Sequence, residues 1–191
     1  MYRIVTLTGK SGSGKTTIVD GVRRQIKRVE LILSTTTREP RSSDLPREYE
    51  HITPFEFETL DRLERLAWKR KVADHSYGTK KSDIEKFLQQ DGLIGIMILL
   101  PDVIPILREM GGDKILNLFV LSPGEEVLKK RMQERGDSEE NITKRLQNER
   151  NWEADARTMG EFHFIDNRGN TPHFAIADVF QLIMQSLMPK S

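Results

Sequence analysis

Residues Gly9-Lys10-Ser11-Gly12-Ser13-Gly14-Lys15-Thr16 satisfy the pattern G-x-x-x-x-G-K-[ST] in full, and few eight-residue patterns restrict a fold as strongly. The loop needs a strand before it and a helix after it. Its backbone N–H groups must turn inward around phosphate oxygens while the helix presents its positive end to them. Both flanks can be read in the chain. Residues 2–8 are rich in β-branched side chains and stop at a glycine, while residues 15–27 bring Ile18, Val19, Val22 and Ile26 round at helical spacing, interrupted by Gly21. In this setting Lys15 supplies a point charge to the outer phosphates of ATP, and the Thr16 hydroxyl is a candidate ligand for Mg2+. Gly9 to Thr16, with Thr17 behind them, form the candidate nucleotide-binding segment.

The rest of the chain repeats the same alternation. Residues 29–35, 93–100, 115–121 and 162–165 are short apolar runs of the kind buried on both faces of a parallel sheet. Helices are expected over residues 82–90, with Ser82 and Glu85 in capping-box spacing, over 102–110, ended by Gly111-Gly112, and over 172–187. Strand, helix, strand in this order implies a three-layer α/β fold around a parallel central sheet. Two segments fall outside that pattern. Residues 36–80 are dense in charge with no clear buried strand, and residues 123–160 read as polar helix carrying arginines at 131, 135, 145, 150 and 157.

Composition narrows the function. A chain of 191 residues suits one domain with functional insertions. With 30 basic against 29 acidic residues and a net charge of +1, charge gives no indication of a nucleic-acid partner. The absence of cysteine excludes a disulfide framework, a thiolate zinc site and a cysteine nucleophile, and fits a reducing compartment, so a cytoplasmic location is expected. No export signal is expected, because the first strand runs straight into the loop. The longest apolar run, residues 92–107, contains Pro101, Asp102 and Pro105 and is too short to cross a bilayer as a helix, so no membrane association is expected. The oligomeric state is left open. The four histidines, His51, His75, His163 and His173, are scattered without ligand spacing and read as structural.

A phosphate loop alone indicates only nucleoside triphosphate binding. The segment Ser34-Thr35-Thr36-Thr37-Arg38-Glu39-Pro40-Arg41 adds two arginines three apart, with hydroxyls before them and a proline to stiffen the turn. Arginine forks grip phosphate oxygens bidentately, which suits a second, acceptor phosphate opposite the donor.

With that cluster the chain resembles the guanylate kinase family. The resemblance runs over nearly the whole sequence: the phosphate loop, Ser-Thr-Thr-Thr-Arg-x-Pro-Arg, Glu48-Tyr49, Tyr77-Gly78-Thr79, Arg131-x-x-x-Arg135-Gly136, and Arg145-Leu146 after a helix start at Ser138-Glu139-Glu140. It implies a single domain over residues 1–191, with a core of 1–35, 81–123 and 151–191, an acceptor-binding flap at 36–80 and a helical lid at 124–150. It implies that Arg38, Arg41, Tyr49 and Tyr77 hold the acceptor phosphate, and that Ser34 and the Gly78-Thr79 segment lie near the acceptor base. Arg131, Arg135 and Arg145 would close over the transferred phosphoryl group beside Lys15, with Asn167 near the adenine. Such roles suit the chemistry, since phosphoryl transfer needs alignment and neutralisation of spreading charge more than covalent help.

The chain also departs from the family pattern. The family's glutamate ten residues before the glycine of Tyr-Gly-Thr is Trp68 here, and the aspartates of its third strand are replaced by Met97 and Leu99. Ser43 and Pro46 stand where glycines are usual. The expected reaction is therefore transfer of the γ-phosphoryl group of ATP to a small-molecule nucleotide acceptor, GMP or dGMP. The alternatives are a kinase for a sugar phosphate, as with ribose 1,5-bisphosphate, or a non-catalytic guanylate-kinase-like binding module.

Overall fold

The computed structural model describes residues 1–40, 49–72, 74–169 and 171–187. Its central sheet is parallel throughout and has five strands. β1 (Ile4–Thr8) lies in the middle, because all five of its residues are buried and can be covered only by a neighbour on each side and a helix layer on each face. β7 (Ile94–Ile98) pairs with it on one side and carries β2 (Val29–Leu31) at the edge; β8 (Ile115–Leu121) pairs on the other and carries β9 (His163–Asp166).

One face of the sheet is covered by α1 (Lys15–Gln25) and α8 (His173–Leu187). Ile18, Val19 and Val22 of α1 and Ala175, Val179 and Ile183 of α8 pack there on Val5, Leu7, Leu118 and Val120. The other face is covered by α3 (Lys81–Gln89) and α4 (Ile104–Gly111), whose Ile84, Phe87, Ile104 and Leu107 meet Ile4, Met97 and Ile115. α7 (Trp152–Met159) closes the far end of that face, with Ala156 against Phe119 and Leu121. Each such fully buried aliphatic side chain contributes roughly 1.5–3 kcal/mol of burial. The three-layer α/β arrangement expected from the sequence is therefore present.

The expected strand over residues 29–35 is two strands. Ile32 still donates its N–H to Ile96 O (2.9 Å), but the chain then leaves the central sheet, and β3 (Ser34–Thr36) finds new partners. β3 lies in a second, four-stranded sheet of order β4-β3-β6-β5, with β4 (Tyr49–His51), β5 (Leu66–Val72) and β6 (His75–Lys80). This corrects the reading of residues 36–80 as lacking a clear buried strand. Only Leu66 and Trp68 of β5 are buried, at period-two spacing, between partly buried and exposed neighbours, so the apolar signal was thin.

Helix caps also differ from expectation. Ser82 is not the cap: α3 begins at Lys81, its N-cap residue is Lys80, and among the described residues no side chain makes a capping hydrogen bond there. The capping box lies instead at α2 (Pro54–Arg62), where Thr53 Oγ1 accepts from Glu56 N–H and a Glu56 carboxylate oxygen accepts from Thr53 N–H. The polar segment after β8 is helical as expected. It forms α5 (Glu125–Glu134) and α6 (Glu139–Asn148), which share a small cluster of Leu128, Met132 and Ile142.

Candidate active site

The carboxyl ends of β1, β7 and β9 open into one cleft of about 880 Å³, bounded by the phosphate loop, the second sheet and the α5–α6 hairpin. Open parallel sheets bind ligands at this edge.

The loop leaves β1 at Gly9 and enters α1 at Lys15. Gly14, at the N-cap, has a φ of 94°, and a Cβ there would stand 2.5 Å from Asn167 Nδ2, so only glycine fits. That same Nδ2 donates to Ser13 O at 2.7 Å, which fixes the turn from the side of β9. Asn167 thus packs on the loop while also lining the cleft. Lys15 Nζ donates to Gly9 O (2.7 Å) and Lys10 O (2.9 Å), inside the curl of the loop. Thr16 and Thr17 line the cleft on the first turn of α1, whereas Lys10 contributes a backbone carbonyl and Ser13 is fully buried.

The second sheet supplies the opposite wall. Arg38 is only 7% exposed. Its N–H donates to Thr36 Oγ1 (3.1 Å), its Nη1 to Glu39 O (2.8 Å), and His51 Nδ1 lies 2.5 Å from its carbonyl oxygen. His51 is thus structural in effect, holding the arginine's backbone. The guanidinium sits over the Tyr49 ring, and Tyr49 meets Tyr77 edge to face at 6.2 Å between centroids. Ser34, Arg38, Tyr49 and Tyr77 all line the cleft. Gly78 and Thr79 do not: a Cβ at Gly78 would stand 2.8 Å from Trp68 O, and Thr79 is fully buried with no partner for its hydroxyl among the described residues. Arg41 lies outside the described residues, as do Ser43 and Pro46.

Trp68 pairs with Thr79 across β5 and β6. It is 5% exposed and forms an apolar edge of the cleft with Leu99, while its indole Nε1 is buried without a partner among the described residues. Met97 is fully buried between the sheet and its helix layer. An aspartate at that position would carry a charge into an apolar cluster at considerable cost.

The third wall is the helical hairpin. Arg131 sits on α5, Arg135 caps its carboxyl end four residues on, and Arg145 sits on α6; all three line the cleft. Arg131 Nη1 donates to Gly12 O (3.0 Å), Arg145 Nη1 donates to Ser11 Oγ (3.2 Å), and Arg135 pairs with Asp137 at 3.1 Å. Glu149 was not foreseen. It lies one helical turn beyond Arg145, and that i,i+4 spacing was the available signal. Its carboxylate accepts from Ser11 N–H at 2.5 Å and from Ser11 Oγ–H at 2.7 Å.

A phosphate loop on a parallel sheet, faced by a buried arginine on a second sheet and flanked by arginines on a helical hairpin, defines a P-loop phosphotransferase of the nucleoside monophosphate kinase class. The family profile described as Guanylate kinase matches residues 1–171, and the chain belongs to the guanylate kinase family. It is 34% identical to a guanylate kinase of Aromatoleum aromaticum over 168 residues, covering 85% of this chain and 78% of that protein. It is 29% identical to one of Porphyromonas gingivalis, covering 88% of each. A crystal structure of guanylate kinase from Anaplasma phagocytophilum shares the fold, with a TM-score of 0.72 at 16% identity over 98% of this chain and 87% of that one. The unliganded structure of a sugar kinase from Janibacter sp. HTCC2649 shares it more distantly, at a TM-score of 0.52 and 18% identity over 96% of this chain and 95% of that one.

Proposed function

We propose that the protein transfers the γ-phosphoryl group of ATP to a nucleoside monophosphate, GMP or dGMP, giving the diphosphate. The supporting observation is that Lys15 in its loop and the buried Arg38 fork line one cleft, with Arg131, Arg135 and Arg145 also on its walls. In this reading the loop from Gly9 to Thr17 grips the ATP phosphates. Arg38, Arg41, Tyr49 and Tyr77 hold the acceptor phosphate, Ser34 lies beside the base, and the three hairpin arginines neutralise the charge that spreads over the transferring oxygens. Residues 36–80 act as an acceptor-binding flap and residues 124–150 as a lid that excludes water on closing. An acceptor phosphate is itself the nucleophile, so no general base is needed.

Thr16 would hold Mg2+ together with the nucleotide's own phosphates. Thr16 lines the cleft on the first turn of α1, and its hydroxyl is the kind of hard oxygen donor that this ion takes. When bound, the ion would offset phosphate charge. Among the described residues no helix is long and apolar enough to cross a membrane, and we place the reaction in the cytoplasm, where its nucleotide substrates are.

A second reading, a kinase for a sugar phosphate, is favoured by one observation: Trp68 and Leu99 give the cleft an apolar edge where a base reader would offer carboxylates. The deciding experiment is ADP production by the purified protein with Mg-ATP against GMP, dGMP, IMP, AMP, UMP and ribose phosphates. Turnover with GMP or dGMP is expected. Turnover confined to ribose phosphates would replace the first reading with the second.

A further inference from the structure

Glu149 is a charged side chain buried to 7% exposure beside the phosphate loop, where charge of its sign is least expected. A buried carboxylate is costly unless strong donors compensate it. Here the donors are Ser11 N–H at 2.5 Å and Ser11 Oγ–H at 2.7 Å, both belonging to the segment whose N–H groups ordinarily turn toward phosphate oxygens. Arg145, one turn earlier on α6, donates to the same Ser11 Oγ, so a continuous chain runs from Arg145 through Ser11 to Glu149. Arg131 of α5 meanwhile bonds Gly12 O. Both helices of the hairpin are thereby tied to residues 11 and 12 of the loop.

We propose that Glu149 is a positioning residue: in the nucleotide-free protein its carboxylate stands in for a phosphate oxygen at Ser11, latching α6 to the loop, and the outer phosphates of the incoming triphosphate displace it. The inference rests on the reading that this loop binds ATP. A carboxylate and a phosphate brought to the same N–H donor would repel each other at contact distance, so binding of the outer phosphates and seating of Glu149 compete. The exchange releases the end of α6 and frees Arg145 from its Ser11 contact as the triphosphate arrives. Occupancy of the loop is thereby coupled to the position of the helix that carries Arg145.

The test is calorimetric titration of ATP and AMP into the wild-type protein, Glu149→Gln and Glu149→Ala, with hydrogen exchange of α6 amides in the nucleotide-free state. Glu149→Gln keeps the shape of the side chain and removes the charge. ATP affinity is expected to rise about three- to tenfold in Glu149→Gln, with a further rise in Glu149→Ala. Binding of AMP, which lacks the outer phosphates, is expected to stay within twofold of wild type. In the nucleotide-free variants α6 amides should exchange faster than in wild type. Unchanged or weaker ATP binding in Glu149→Gln, with wild-type melting, overturns the inference alone. A wild-type protein that binds no ATP overturns the functional reading beneath it, and this inference with it.

Discussion

The guanidinium of Arg38 lies over the ring of Tyr49, 5.1 Å from its centroid, on a strand–turn segment that buries the arginine almost completely. The stacking, with the backbone bonds from Thr36 and His51, leaves few alternative positions for the fork and so reduces the entropy lost when it takes up a phosphate. Arg38→Ala is expected to weaken acceptor binding by about one to two decades, as a charge-assisted contact is worth roughly 1.5–3 kcal/mol. ATP binding should remain within about twofold. Arg38→Lys should recover little of the loss, because an ammonium cannot reproduce the bidentate fork. Calorimetric titration of each nucleotide checks this; ATP binding lost with acceptor binding intact would reverse the two sites.

Lys15 is the second position at which one side chain carries a stated role. Its Nζ bonds two carbonyls of its own loop and contributes nothing to either large apolar cluster. Lys15→Ala should lower kcat by about two to three decades or more, the effect of deleting a preorganised donor to developing charge, while melting shifts little. Steady-state kinetics and a melting curve on one preparation are sufficient. Turnover at the wild-type rate would falsify the assignment of this loop to the triphosphate.

The Thr53–Glu56 capping box gives a stability prediction away from the cleft. Thr53→Ala removes an acceptor for Glu56 N–H at the start of α2 and is expected to lower stability by about 1 kcal/mol. The Thr53 N–H and hydroxyl hold the Glu56 carboxyl below its ordinary range. A depressed acid stabilises the fold above its unfolded-state pKa, and that contribution fades as the pH falls through the folded value. The gap between wild type and Glu56→Gln in denaturant midpoint should therefore be present at pH 7 and close toward pH 3.

Where the sequence could be read, one local pattern coincided with one element. β8 occupies residues 115–121 as expected, because six of its seven residues are apolar and the seventh, Asn117, is buried with a hydrogen bond from Thr6, an arrangement that suits a strand buried on both faces of a parallel sheet. The phosphate loop carried its own flanks for the same reason. The second sheet was harder to see because its order β4-β3-β6-β5 depends on pairing between residues up to about forty positions apart, such as Thr36 with Tyr77, and on strands of three residues. The departure from the central sheet after Ile32 was hidden by the apolar run Leu31-Ile32-Leu33, which bridges the end of one strand and the start of the next. Glu149 was hidden because a glutamate on a polar helix is ordinarily solvated; only the packing of α6 on the loop buries it.

Selectivity for the acceptor gives the last prediction, and it turns on Trp68 and Leu99. Both belong to the apolar cluster that includes Met97, and both line the same cleft as Ser34 and Tyr77. A guanine ring presents N–H donors that a carboxylate accepts strongly, whereas an indole face and a leucine accept nothing. Glu64, in the turn before β5 with a φ of 52°, and Asp74, in the turn after it, are exposed and do not line the cleft. The carboxylates that line it among the described residues, Glu134 and Glu149, belong to the hairpin side. In the proposed reading Ser34 is the polar side chain beside the base, and a hydroxyl donates or accepts with little preference. Losing two carboxylate contacts removes about 3–6 kcal/mol, or about two to four decades, of discrimination. The preference for GMP over AMP in kcat/KM at saturating ATP is therefore expected to be about two decades or less. Trp68→Phe, which keeps the apolar wall and deletes the buried indole N–H that has no partner among the described residues, should leave the order of GMP, dGMP, IMP, AMP and UMP unchanged. A GMP preference of about four decades or more that disappears in Glu64→Gln or Asp74→Asn would show that a carboxylate swings in to read the base, and would sink the prediction.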